Sequence, residues 1–168
     1  MNRLMTALLV SAALAAPVLA QDALPDTLVK HWKTSKKYML ALADQMPAAD
    51  YSFKPSPEEM SFGQQLAHIA QANAYFFSTI SGQKSPISKP ANYDKATVEK
   101  LLNDSYDFCI ASLEGLTPDK LHATYDAEGQ KMAGFEILLL ATDHTAHHRG
   151  QVIVYLRSKN IKPTEYQF

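Results

Sequence analysis

The strongest helical pattern in the chain lies in residues 133–159, which read AGFEILLLATDHTAHHRGQVIVYLRSK. At about 100° per residue, one stripe of this segment combines apolar residues with two histidines. The stripe contains Ile137, Ala141, His144, His148, Val152 and Tyr155. Offsets of three and four residues keep a stripe on the packed side of a helix. His144 and His148 therefore lie on adjacent turns of the face that is expected to be buried.

A buried pair of imidazoles needs binding partners, because each polar nitrogen left unpaired costs about 1–3 kcal/mol. Neutral imidazole is a common ligand of zinc, nickel, copper and iron. Two histidines four residues apart form the helical half of many metal sites. The alternative is a pair of core histidines that bond to glutamine, tyrosine or backbone groups, and the spacing alone leaves both interpretations open.

A second segment supplies the candidate third ligand. Residues 61–82 contain no Asp, Glu, Lys or Arg, and an uncharged helix is usually buried on most of its sides. The letters SFGQ at residues 61–64 form a capping-box pattern that predicts the helix start, and Gly82 predicts its end. His68 lies on the flank of the apolar stripe, so the candidate metal ligands are His68, His144 and His148. This flank could also contact a second subunit, which makes a homodimer compatible with the sequence.

The helical segments together predict an all-α fold, a four-helix bundle. The four long helices are predicted at residues 26–46, 61–81, 94–116 and 133–159. Pro118 starts a short turn or helix by its position after Thr117. Residues 122–131 are polar and predict a loop, with a short strand at residues 124–125 as the alternative.

Composition narrows the class of protein. The length of 168 residues indicates one domain, and a net charge of −1 argues against nucleic acid as a partner. The single cysteine, Cys109, excludes an internal disulfide and is predicted to be buried.

Five other polar residues are predicted to have structural rather than functional roles. His31 and His122 are predicted to be ordinary solvated histidines. Arg149 lies on the other side of the last helix from the histidine pair and is expected to form a salt bridge or a hydrogen bond to a loop carbonyl. Gln151 and Tyr155 are expected to supply polar packing around the histidine site.

The N-terminal segment has the features of a secretory signal peptide. Residues 1–20 read MNRLMTALLVSAALAAPVLA, with a positive charge at Arg3 and small residues at Val18 and Ala20. The apolar run is shorter than the roughly 20 residues that a membrane-spanning helix needs. We expect cleavage after Ala20, a mature domain at residues 21–168, a periplasmic or secreted location and no stable membrane anchor.

Two segments resemble the signatures of the DinB family of DinB/YfiT-like helix bundles. The first comprises residues 50–77, DYSFKPSPEEMSFGQQLAHIAQANAYFF, and the second residues 143–163, DHTAHHRGQVIVYLRSKNIKP. The resemblance covers nearly the whole mature chain in order and spacing. It implies an up-down-down-up bundle and a divalent metal ion (zinc, nickel or iron) held by His68, His144 and His148. It implies no ligand role for His147, which occupies a variable position of the motif.

Three functional hypotheses follow from these residues and the resemblance. The first is a metal-dependent enzyme of hydrolase or transferase type that acts on an unidentified small-molecule substrate, with an open coordination site reached by solvent. The second is a non-catalytic metal-binding module, with a sealed site and a large loss of stability on chelation. The third is a metal-free bundle that binds a partner through the uncharged face of its second helix. Members of the DinB family, which this chain resembles, include thiol-dependent transferases and isomerases. Their small thiol cosubstrates are typically cytosolic, which disfavours that chemistry for an exported chain.

Overall fold

A computed structural model describes residues 16–166, which form four long helices, a short helix, a 3₁₀ turn and a β-hairpin. In chain order the elements are α1 (Ala16–Gln45), the 3₁₀ turn (Ala48–Asp50), α2 (Phe62–Ser81), α3 (Lys95–Glu114), α4 (Pro118–His122), β1 (Thr124–Ala127), β2 (Gln130–Ala133) and α5 (Gly134–Ser158). Most of the predicted signal peptide, residues 1–15, lies outside the described residues. Cleavage after Ala20 therefore stays a prediction.

Helices α1 and α3 are antiparallel neighbours. Near one end of the pair, the ammonium group of Lys33 lies 3.4 Å from the carboxylate of Glu114. Near the other end, Lys95 contacts the carboxylate of Asp44 at 3.1 Å. The start of each helix therefore meets the end of the other.

Helices α2 and α5 are also antiparallel. The hydroxyl of Tyr155, near the end of α5, donates to the carbonyl of Met60 just before α2, at 2.8 Å. Farther along α2, Asn73 accepts a 2.9 Å hydrogen bond from Thr145 in the middle of α5. This pairing brings the two histidine-bearing helices into direct contact.

Helices α2 and α3 are parallel, which completes the up-down-down-up arrangement. Gly63 at the start of α2 packs on the backbone of Tyr93, just before α3. Farther along both helices, Ser105 donates a 2.7 Å hydrogen bond to the carbonyl of Ala70. The four-helix bundle predicted from the sequence is therefore confirmed, with the second and third long helices running in the same direction.

Gly63 allows this close approach of α2 to the segment before α3. A Cβ atom at residue 63 would overlap the carbonyl oxygen of Tyr93 and would lie 3.3 Å from the Tyr51 ring. We expect Gly63→Ala to lower the free energy of unfolding by about 1–3 kcal/mol, as overpacking does. In the matched control Gly150→Ala, the new Cβ meets nothing within 4 Å, so helix propensity should make that variant about 0.5–1 kcal/mol more stable. Urea unfolding measures both changes, and a Gly63→Ala protein as stable as the wild type would contradict this packing.

The capping signals on α2 act as the sequence predicted. The Ser61 hydroxyl accepts from the Gln64 backbone N–H at 3.2 Å, while the Gln64 side chain accepts from the Ser61 N–H at 2.8 Å. Gly82 ends the helix with a φ of 74°, in the left-handed region that suits glycine. The long uncharged helix is thus fixed at both ends by local chemistry.

Two predicted elements differ from the structure. Helix α1 begins at Ala16 rather than at residue 26 and includes Pro25, although proline removes one backbone donor. The loop predicted at residues 122–131 is wrong, since β1 and β2 pair there as an antiparallel hairpin. The alternative of a short strand at residues 124–125 is confirmed within β1. Glu128 and Gly129 form its turn with φ values of 53° and 78°, as two-residue hairpin turns require. The strands are only four residues long, which is too short for a clear periodic pattern in a polar segment.

The C-terminal residues run back along α1, and one of them contacts the side chain of Arg149. Gln45 bonds to the carbonyl of Lys162 and to the N–H of Thr164, each at 2.9 Å. The Arg149 guanidinium lies 5.7 Å from the ring centre of Tyr38 and 5.2 Å from that of Tyr166. Among the residues that the structure describes, Arg149 makes cation–π contacts that link α5, α1 and the C-terminal segment, in place of the expected salt bridge or carbonyl contact.

Two further features are the burial of the single cysteine and the hydropathy of the helices. Cys109 is fully buried, as expected, and burial raises the pKa of its thiol. Across residues 16–166, no helix is long and apolar enough to span a membrane.

Candidate metal centre

The antiparallel contact of α2 and α5 brings together the three histidines singled out by the sequence. The Nε2 atoms of His68 and His144 are 3.0 Å apart. One ring nitrogen from each of His68, His144 and His148 lies within 4.8 Å of the others. The ring centroids are separated by 4.4–4.8 Å. Two adjacent turns of α5 and one residue of α2 thus form a compact imidazole cluster.

The cluster fits a divalent cation in both chemistry and spacing. Two nitrogens bound at 2.0–2.1 Å to one tetrahedral zinc ion lie about 3.3 Å apart. The 3.0 Å separation of the His68 and His144 Nε2 atoms is close to this value. These three imidazoles could therefore hold a metal ion.

The electrostatic environment keeps the cluster uncharged. Burial, with smaller contributions from the neighbouring imidazoles, lowers the pKa of His144 and of His148 to about 4. Burial also lowers the pKa of His68. No carboxylate contributes to the pKa shifts of these three residues. At neutral pH, each ring is therefore a neutral imidazole, the form that coordinates metal ions.

The cluster is partly open to solvent. His68, His144 and His148 are neither fully buried nor fully exposed, although Nδ1 of His144 is buried and has no hydrogen-bond partner within residues 16–166. His147 is exposed, and its ring centroid lies 4.9 Å from that of His148.

The exposure predicted for two other histidines is confirmed, and one polar neighbour of the cluster was missed. His31 and His122 are exposed, as predicted. Sequence reasoning gave no role to Gln65, whose Oε1 lies 2.7 Å from Nδ1 of His148. Its Nε2 lies 3.3 Å from the hydroxyl of Tyr155, so Tyr155 reaches the cluster through Gln65. A glutamine three residues before His68, within an uncharged buried helix, was the available signal.

Comparison with known proteins places this architecture in a family. The family model described as the DinB superfamily matches residues 31–152, a span that contains all three clustered histidines. The chain belongs to the DinB superfamily. As a member of that superfamily, it is 29% identical over 134 residues to the uncharacterized protein YjoA of Bacillus subtilis (strain 168), an alignment that covers 77% of this chain and 87% of YjoA.

Solved DinB-like structures share the fold. The crystal structure of the DinB-like YjoA from Bacillus subtilis matches with a TM-score of 0.70 at 29% identity, over 84% of this chain and 96% of that one. A DinB-like protein from Bacillus cereus ATCC 10987 matches with a TM-score of 0.74 at 20% identity, over 84% and 97% of the two chains. The second similarity concerns the fold alone.

Proposed function

We propose that this DinB superfamily protein binds one divalent metal ion through His68, His144 and His148 and acts as a metal-dependent enzyme on a small molecule. The observation that carries the proposal is the convergence of the three imidazoles across the α2–α5 contact. Their partial exposure favours an open catalytic site over a sealed structural one. Imidazole donors suit zinc, nickel and iron.

The donor set indicates the type of chemistry. A divalent cation with open coordination positions acts as a Lewis acid that polarises an oxygen or sulfur atom of a substrate. The three neutral rings would orient the ion without reducing its charge, since no carboxylate contributes to their pKa shifts. Such a site attracts electron-rich substrate atoms, which supports a hydrolase or transferase.

The location and assembly of the protein belong to the same proposal. The signal-like sequence of residues 1–20 supports action in the periplasm or outside the cell. A homodimer stays a prediction that rests on the uncharged helix α2.

Metal content and turnover test the proposal. We expect close to one metal ion per chain in the purified wild type and a large loss in His68→Ala, His144→Ala and His148→Ala, measured by elemental analysis. The exposed-histidine variants His31→Ala and His122→Ala are the matched controls and should keep their metal. Hydrolysis of p-nitrophenyl acetate by the zinc-loaded wild type, lost in His148→Ala, would support the hydrolase alternative. Equal metal content in the wild type and all three cluster variants would overturn the metal site.

A further inference from the structure

We propose that a directional chain of hydrogen bonds from Met60 through Tyr155 and Gln65 fixes the tautomer of His148, so that its Nε2 lone pair is available to a metal ion. Gln65 and Tyr155 would be positioning residues that do not touch the metal. Their importance for metal binding rests on the proposed function. The tautomer itself is a property of the metal-free protein and can be measured separately.

Three consecutive contacts form the chain. The Tyr155 hydroxyl donates to the Met60 carbonyl at 2.8 Å. The Gln65 Nε2 atom lies 3.3 Å from the Tyr155 oxygen, and Gln65 Oε1 lies 2.7 Å from Nδ1 of His148. Gln65 is 2% exposed and Tyr155 is 0% exposed, so bulk water does not compete for these contacts.

The first acceptor sets the direction of every later bond. A backbone carbonyl has no proton to donate, so the single hydroxyl proton of Tyr155 points to Met60. The Tyr155 oxygen must then accept from the Gln65 amide nitrogen, which leaves the Gln65 carbonyl oxygen facing His148. Because that oxygen can only accept, Nδ1 of His148 must carry the proton. A neutral imidazole has one ring proton, and its Nε2 therefore keeps the lone pair.

The reverse orientation of the Gln65 amide is disfavoured by the same chain. Amide orientation is usually assigned from hydrogen bonds, since nitrogen and oxygen look alike. A flipped Gln65 would turn its oxygen to Tyr155, whose proton would then leave Met60 for Gln65. The Met60 carbonyl would lose its Tyr155 donor. The original orientation of the Gln65 amide thus keeps the Tyr155 donor on the Met60 carbonyl. That orientation in turn places the ring proton of His148 on Nδ1.

His148 differs in this respect from another member of the cluster. Nδ1 of His144 is buried without a partner among the residues that the structure describes. Histidine in water prefers the proton on Nε2, the tautomer that cannot coordinate through that atom. Metal-ligating histidines are commonly oriented by a hydrogen bond from their other ring nitrogen. The Gln65 contact gives His148 this arrangement before any metal binds.

Nitrogen NMR of the metal-free protein tests the tautomer directly. Long-range ¹H–¹⁵N correlation on the full chain with ¹⁵N-labelled histidine, at pH 8 with chelator, is expected to show Nδ1–H for His148. Tyr155→Phe keeps the ring but removes the hydroxyl, so its His148 should gain the Nε2–H tautomer. Tyr106→Phe is the matched control, because its fully buried hydroxyl bonds to Ser35 at 3.0 Å in another part of the core. That control should keep the wild-type tautomer.

Zinc affinity, measured by competition with a chelator, provides the second readout. Loss of an outer hydrogen-bond partner typically weakens metal binding 10–100-fold, and we expect about this loss for Gln65→Leu. For Tyr155→Phe, one bond farther away, we expect a loss of about 3–10-fold. The affinity of Tyr106→Phe should be unchanged.

Either of two NMR results would overturn the inference. An Nε2–H tautomer of His148 in the wild type, or an unchanged tautomer in Tyr155→Phe, would do so. If Tyr155→Phe does not fold, Gln65→Leu tests the contact itself: it removes the acceptor at Nδ1 of His148 and should shift His148 towards Nε2–H, and an unchanged Nδ1–H tautomer would contradict the chain. A wild type that binds none of zinc, nickel and iron would instead refute the proposed function, while the tautomer result would still stand.

Discussion

Zinc is expected to raise the melting temperature of the wild-type protein by about 10 °C and to leave that of His144→Leu unchanged. A ligand that binds only the folded state at 1,000 times its dissociation constant stabilises that state by about 4 kcal/mol. For chains of this size, each kcal/mol raises the melting temperature by about 2–4 °C. His144 is central to the cluster because its Nε2 lies 3.0 Å from Nε2 of His68. Its loss should therefore remove the metal-dependent increase.

Without metal, His144→Leu should instead increase the stability of the protein. Nδ1 of His144 is buried with no partner in the described part of the chain, and such an atom costs about 1–3 kcal/mol. Leucine removes both ring nitrogens and can pack against Phe76, whose ring lies 6.0 Å from that of His144. We therefore expect metal-free His144→Leu to be more stable than the metal-free wild type, which would indicate that the histidine is kept for function.

Calorimetry with zinc and with excess chelator measures both effects. His122→Leu is the control, because His122 is exposed and lies outside the cluster. It should show the wild-type response to zinc. An equal zinc-induced shift in His144→Leu and the wild type would show that the stabilising ion binds elsewhere.

Local signals allowed much of this fold to be predicted. The Ser61–Gln64 capping box and Gly82 act over a few residues, so their sequence pattern is sufficient to bound α2. The spacing of His144 and His148 likewise fixes their common face within one helix. The position of His68 opposite them depends on helix pairing across the bundle. It was predicted from its place on a second, uncharged helix, and the DinB resemblance implied the same residue.

Features that depend on distant partners were missed. Arg149 contacts Tyr38 and Tyr166, which belong to the first helix and the C-terminal segment, and a helical projection of α5 contains neither. Gln65 likewise has its partners, His148 and Tyr155, on another helix. Such contacts are set by tertiary packing, for which a single helix carries no periodic signal.

Acid is expected to destabilise the metal-free protein well above the range in which its carboxylates titrate. The pKa of His144 and of His148 is about 4 in the folded chain and about 6.5 in an unfolded one. A group whose pKa is lower when folded takes up its proton preferentially in the unfolded state, so protonation favours unfolding. The penalty is absent above about pH 7 and grows as the pH falls from 6.5 towards 4. At pH 5 it reaches at most about 2 kcal/mol for each histidine, and solvent contact reduces that value.

Urea unfolding at pH 7.5 and pH 5, in the presence of chelator, measures this loss. We expect the wild type to lose about 2–4 kcal/mol of unfolding free energy between these two conditions. The double variant His144→Leu/His148→Leu should lose much less, because leucine cannot take up a proton. The pKa of Glu58 is lowered by hydrogen bonds to backbone and to Ser56, so its stabilising contribution is lost mainly as the pH falls below its ordinary value of 4.5 and changes little between pH 7.5 and pH 5. An identical acid dependence in the wild type and the double variant would mean that the histidine cluster does not cause it.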